Sequence, residues 1–138
     1  MKKLIKSKLL LIILSIALTN TINSQSISTE GVQYCVYDEE TKSWKDCTTD
    51  GKHTSLMVFN DQETMITHTT LDNKSVYYIE DKSIIINDEK EKVWVYNVVS
   101  DTGNKYVIKV NPTSRFIFCI YKIENETNET IFSIKSIF

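Results

Sequence analysis

The chain has 138 residues, with 16 Lys and Arg against 18 Asp and Glu, 41% hydrophobic and 10% aromatic side chains, 3 Gly and 1 Pro. That length holds one domain of ordinary size, and so few Gly and Pro exclude collagen-like and low-complexity classes. Many Ile, Val and aromatic residues set among 25% charged ones argue for a folded core rather than disorder.

The N-terminus is distinct from the rest. Lys2, Lys3, Lys6 and Lys8 precede an apolar run from Leu9 to Leu18, and small and polar residues follow from Thr19 to Ser26. A basic start, a short apolar stretch and a small-residue exit predict a secretory signal peptide over residues 1–24, cut near Ser24. The apolar stretch is half the ~20 residues that a spanning helix needs. An uncleaved anchor is the alternative, because the exit lacks a clean A-x-A site. The leader carries four Lys and no acid, which leaves 12 bases against 18 acids and a net charge of −6 for residues 25–138. An acidic domain of this kind, periplasmic or extracellular, is expected to bind no nucleic acid, since it lacks a cationic footprint. The leader and the wealth of Lys, Asn and Ile point to a bacterial source.

Residues 25–138 read as a single all-β domain. Turn signals at Asp38 to Lys42, Asp50-Gly51, Asn60-Asp61, Asp72-Asn73, Glu80 to Lys82, Asp88 to Lys90, Asp101 to Asn104, Asn111 to Ser114 and Glu124 to Glu129 separate short runs rich in Val, Ile, Tyr, Phe and Thr. Up to ten strands fit: about 31–37, 43–47, 54–59, 63–70, 75–79, 83–87, 92–99, 105–110, 115–123 and 130–137. Lys105 to Val110 alternates as a half-buried strand does, whereas Val93 to Val99 and Phe116 to Ile123 are apolar on both faces. The fold expected is an antiparallel meander of about eight to ten short strands, closed as a small barrel or packed as a sandwich. In count and spacing it resembles the ten-stranded small-lipid-binding barrels, without the helical pair those carry near the first strand. The likeness is one of architecture.

Of the three cysteines, Cys35 and Cys47 fall on a hairpin centred on Thr41, with its turn from Glu39 to Ser43. That hairpin sets Cys35 against Cys47 and Tyr37 against Lys45, so a Cys35–Cys47 disulfide is expected in an oxidising compartment. The alternative is a pair of reduced thiols packed as small hydrophobes. Cys119, between bulky apolar neighbours, is expected to be a buried and inert thiol.

Candidate chemistry is sparse. His53 and His68 are the only histidines, and a metal site would need both with Asp61 or Glu63. No HxH or HExxH pairing occurs, so no metal is expected. The acids cluster in turns, where carboxylates are solvated. Glycines at 31, 51 and 103 build no phosphate loop, and no G-x-S-x-G elbow is present. Neither an enzymatic activity nor a cofactor is expected. Asp101 to Asn104 reads as a hairpin turn with Gly103 at positive φ.

Trp44, just after a polar turn and beside the expected disulfide, is the candidate binding residue, together with Tyr37 on the same hairpin. Packing of Trp44 over its own hairpin is the alternative. The ending Phe132 to Phe138 resembles the terminal strand of bacterial outer-membrane barrels. Strands of 5–8 residues are short of the ~9–11 that span a bilayer, and their faces carry Lys and Asp, so no integral membrane protein is expected. The function expected is that of a small exported non-enzymatic β-domain that binds a protein or a surface polymer. The alternative is a calycin-like carrier barrel for a small hydrophobic ligand or lipid.

Overall fold

The computed structural model describes residues 25–138, so the predicted leader lies outside the described residues. Eight strands follow in order: β1 (Gln25–Asp38), β2 (Ser43–Phe59), β3 (Met65–Thr70), β4 (Lys74–Ile86), β5 (Lys92–Ser100), β6 (Lys105–Asn111), β7 (Phe116–Ile123) and β8 (Glu126–Ile137). Each pairs antiparallel with the next, and β8 returns to pair with β1, closing a barrel. The all-β meander is therefore a barrel and not a sandwich.

Ten expected strands become eight because two apparent turns are bends inside long strands. At Asp50-Gly51 the β1–β2 register moves from Glu30 opposite Thr54 to Val32 opposite Asp50, so Gly31 faces a three-residue stretch of β2. Gly31 adopts φ 73°, a left-handed conformation that suits a residue without Cβ. At Glu80 to Lys82 the register moves from Ile79 opposite Val98 to Asp81 opposite Asn97, which leaves Glu80 as the extra residue of a bulge. Bulges bend a strand and sharpen its twist, as a small barrel requires. The last turn is also shorter than expected. Glu124 (φ 49°) and Asn125 (φ 70°) alone reverse the chain, the two-residue geometry that matches strand twist, so β8 begins at Glu126.

Four turns define a mouth end (β1–β2, β3–β4, β5–β6, β7–β8), and the other three define a floor end. With six residues β3 is the shortest strand, and it pairs only with Ser55 to Phe59 of β2 and with Lys74 to Tyr78 of β4. The β1–β2 hairpin thus stands above the mouth and the β4–β5 hairpin reaches below the floor. Strands β1, β2, β4 and β8 run to 14, 17, 13 and 12 residues, which corrects the expectation of strands too short to span a bilayer. No helix among the described residues is long and apolar enough to cross a membrane.

Alternation sends every second side chain inward. Towards the floor the lumen is filled by Ile27, Met57, Phe59, Ile66, Val98, Ile108, Val110 and Ile117, each no more than 2% exposed. Eight strands enclose a space that side chains of this size fill, and each such burial contributes ~1.5–3 kcal/mol. The buried Thr29 and Ser55 hydroxyls satisfy each other at 2.7 Å. The floor turns are laced together. Buried Asn111 donates from Nδ2 to Glu91 Oε2 (2.7 Å) and accepts from the Thr113 and Ser114 amides (3.1 and 3.0 Å). Arg115 donates from Nε to the Ile134 carbonyl (3.3 Å) and from Nη2 to that of Lys135, and so braces the β8 bulge at Lys135.

Ile117→Ala should lower the unfolding free energy by about 2–5 kcal/mol, because Ile117 is completely buried. Ile84→Ala, at a side chain 63% exposed, should change it by less than about 0.5 kcal/mol. Urea unfolding of both variants reads this difference, and equal losses would contradict the inward and outward assignment.

Candidate functional site: the mouth of the barrel

Towards the mouth the inward side chains change character. Beyond Met57 and Ile108 come Tyr34 of β1, His53 of β2, His68 of β3, Tyr77 of β4, Tyr106 of β6 and Tyr121 of β7. With Thr130 and Phe132 of β8 they surround a cavity of about 330 Å³. That is room for roughly eleven waters at about 30 Å³ each, near the lower end of ligand-pocket volumes. Tyrosine suits this level because its ring stays in the apolar wall while the hydroxyl reaches the wetter end. Tyr77 and Tyr106 meet edge to face at 5.3 Å, Tyr106 and Tyr121 lie tilted at 5.5 Å, and the Tyr121 hydroxyl is 3.3 Å from Thr130 Oγ1.

The two histidines converge on one ring. His68 stands edge-on to Phe132 at 5.2 Å, and His53 lies tilted to it at 6.0 Å. The Nε2 atoms of both are buried and lack a hydrogen-bond partner. Burial, with His53 nearby, pulls the His68 pKa down to about 4. Burial pushes Tyr77 up to about 12, with Cys119 beside it adding to the shift. Burial likewise pushes the Cys119 thiol up to about 12, helped by Glu129. All three are therefore neutral at neutral pH, and no Asp, Glu, Lys or Arg lines the cavity. The cavity is a cup without acidic, Lys or Arg side chains and with an apolar floor, and Cys119 in it is a protonated thiol that makes a poor nucleophile.

The structure brings His53 and His68 together but not the acids a metal would need. Asp61 and Glu63 lie in the 60–64 loop at the floor end, where Glu63 pairs with Lys82 and accepts the Tyr96 hydroxyl at 3.5 Å. No group of three or more His, Cys, Asp or Glu among the described residues is placed to hold a metal ion.

Cys35 and Cys47 are joined by a disulfide between β1 and β2, with Cys35 buried. Across 12 residues such a crosslink stabilises by about 3 kcal/mol on loop-entropy grounds. The register beyond it differs from expectation, since Tyr37 faces Trp44 and Lys45 faces Val36. Asp46, at φ 52°, is the extra residue that causes the one-step slip. Tyr37 and Trp44 pack edge to face at 5.1 Å, and Trp44 is left 37% exposed. The aromatic pair thus covers its own hairpin above the mouth. Lys45 bonds Asp38 at 3.0 Å and holds that carboxyl below its ordinary value, helped by the Glu40 and Thr41 amides.

A larger concavity, about 1010 Å³, crosses the outer wall of β4 to β7 past Asp81, Asn97, Lys105, Val107 and Ile120. Charged, polar and apolar groups all line it. The cup is the better candidate because its polar groups converge from seven strands. Sequence reading left its two histidines as ordinary strand or turn residues. The signal was present in phase: His68 is two residues from Ile66, Tyr106 two from Ile108, and Tyr121 two from Cys119. Comparison with known protein families, curated proteins and solved structures finds no match to this chain.

Neutral His68 has a folded pKa below its unfolded value, so its environment favours the native state most above about pH 6.5. That contribution should fall between about pH 6.5 and 4, by on the order of 3 kcal/mol. Glu129, whose burial raises its pKa, works in the opposite direction. Urea midpoints of the native chain and of His68→Phe, compared from pH 7 to 4, isolate the histidine. A slope left unchanged by the substitution would contradict the assignment.

Proposed function

We propose that the protein is an exported, non-enzymatic binding domain that holds a small, mainly apolar ligand in the mouth of its barrel. One observation carries this reading: the lumen is packed from the floor to Met57 and Ile108 and then gives way to a cup of about 330 Å³. A barrel evolved only for stability would be filled along its length, since unfilled core space costs free energy. The disulfide suits an oxidising compartment, periplasmic or extracellular, as does the signal peptide read from residues 1–24. Lys74, Lys105 and Lys109 on the outer wall and apolar residues within reverse the pattern of a spanning barrel, so we read the wall as facing water.

Contact with a protein or surface polymer is the second reading. It rests on Trp44, which keeps 37% of its surface exposed on the hairpin above the mouth. Substitution separates the two readings. The uncharged fluorophore naphthalene should bind residues 25–138, and Ser75→Trp, which places a large side chain on the cup wall, should weaken binding at least tenfold. Trp44→Ala should leave naphthalene binding within about twofold. Fluorescence titration measures both, and undiminished binding to Ser75→Trp would defeat the cup as the ligand site.

A further inference from the structure

We infer that the cup selects an uncharged ring compound carrying a hydroxyl or amide group, with His53 and His68 reading its polar end, in preference to an acyl chain or an anion. This rests on the proposal that the mouth is a ligand site. Four observations narrow the ligand class.

The first is size. A palmitoyl chain has sixteen carbons and occupies on the order of 480 Å³ at roughly one water volume per carbon. The cup offers about 330 Å³, and beneath it Met57 and Ile108, at 2% and 1% exposure, close the way to the floor. A compact ligand fits within the cup, whereas a long chain would extend beyond its mouth. The second is charge. The titratable groups facing the histidines are Tyr34, Tyr77, Tyr106, Tyr121 and Cys119. An anion entering the cup would lose its water with no Lys or Arg opposite it.

The third observation is the wall. The rings of Tyr77, Tyr106, Tyr121 and Phe132 line the cavity, and aromatic side chains accept another ring by offset or edge contact. The fourth is polar. Two buried imidazole nitrogens lack hydrogen-bond partners, and both belong to rings packed on Phe132. Buried polar atoms are normally paired, and these two, sealed in the wall on side chains that line one cavity, come within reach of a ligand group by rotation about χ2. A neutral imidazole has one donor and one acceptor nitrogen, and its χ2 turns over a broad range. A hydroxyl or an amide both donates and accepts, so it can pair with an imidazole nitrogen in either tautomer.

The test is calorimetric titration of residues 25–138 at pH 7 with 2-naphthol, naphthalene, 2-naphthoate and palmitate. 2-Naphthol is expected to bind at least tenfold tighter than naphthalene, and the two anions more weakly than either. Nitrogen NMR should show both His Nε2 signals moving on addition of 2-naphthol and staying still with naphthalene, a readout that needs no variant. His53→Phe/His68→Phe should bring 2-naphthol and naphthalene to equal affinity. Equal affinities in the native chain, or unmoved Nε2 signals, would overturn the histidine reading while leaving the ligand site intact. Tightest binding by palmitate or 2-naphthoate would overturn the ligand class. Failure of all four to bind would defeat the ligand site itself.

Discussion

Closure of the hydrogen-bonded ladder is the constraint on which everything else depends. β1 is held on one side by β2 and on the other by β8, so no strand is left as a complete edge. Closing eight strands sets the width of the lumen, and that width decides which side chains meet across it. Phe59 and Tyr96 touch at 5.1 Å within it, and the fully buried Ile27, Ile66, Val110 and Ile117 complete the packing. Closure also demands bends, which come from the extra residues opposite Gly31, at Glu80 and at Lys135.

The fold class was legible because alternation and turn chemistry are local. Tyr106, Ile108 and Val110 do share the inner face, and Gly103 does sit at positive φ (88°) in its turn. Strand count was less legible. Asp50-Gly51 and Glu80 to Lys82 carry the residue types of turns, and a bulge draws on the same types for the same conformational reason. Only pairing partners distinguish the two, and those lie far away in the chain. The strands apolar on both faces were also ambiguous. In β7 the outer residues Phe116 and Phe118 lie near each other at 6.2 Å, and Phe116 remains 39% exposed, with no second sheet against it.

The site was legible only in part. The facing of Cys35 and Cys47 follows from hairpin arithmetic, since the slip at Asp46 lies on the turn side of the bond. The same slip moved Tyr37 from Lys45 to Trp44, a change that no count of residues reveals. The phase of His68 with Ile66 was legible in the sequence. What phase cannot supply is height along the barrel axis, which depends on how far each strand is staggered against its neighbours. Height is what separates a histidine in the cup from one in the packed half, and His53 from Asp61 and Glu63.

The lumen is divided along its length between a packed part and a receptive part. The two halves use different residues on the same strands, as with Ile66 and His68 on β3 or Ile108 and Tyr106 on β6. Substitution in the upper tier therefore leaves the foundation beneath it largely untouched. A lineage built on this frame can exchange a few wall residues of the upper tier with its architecture unchanged.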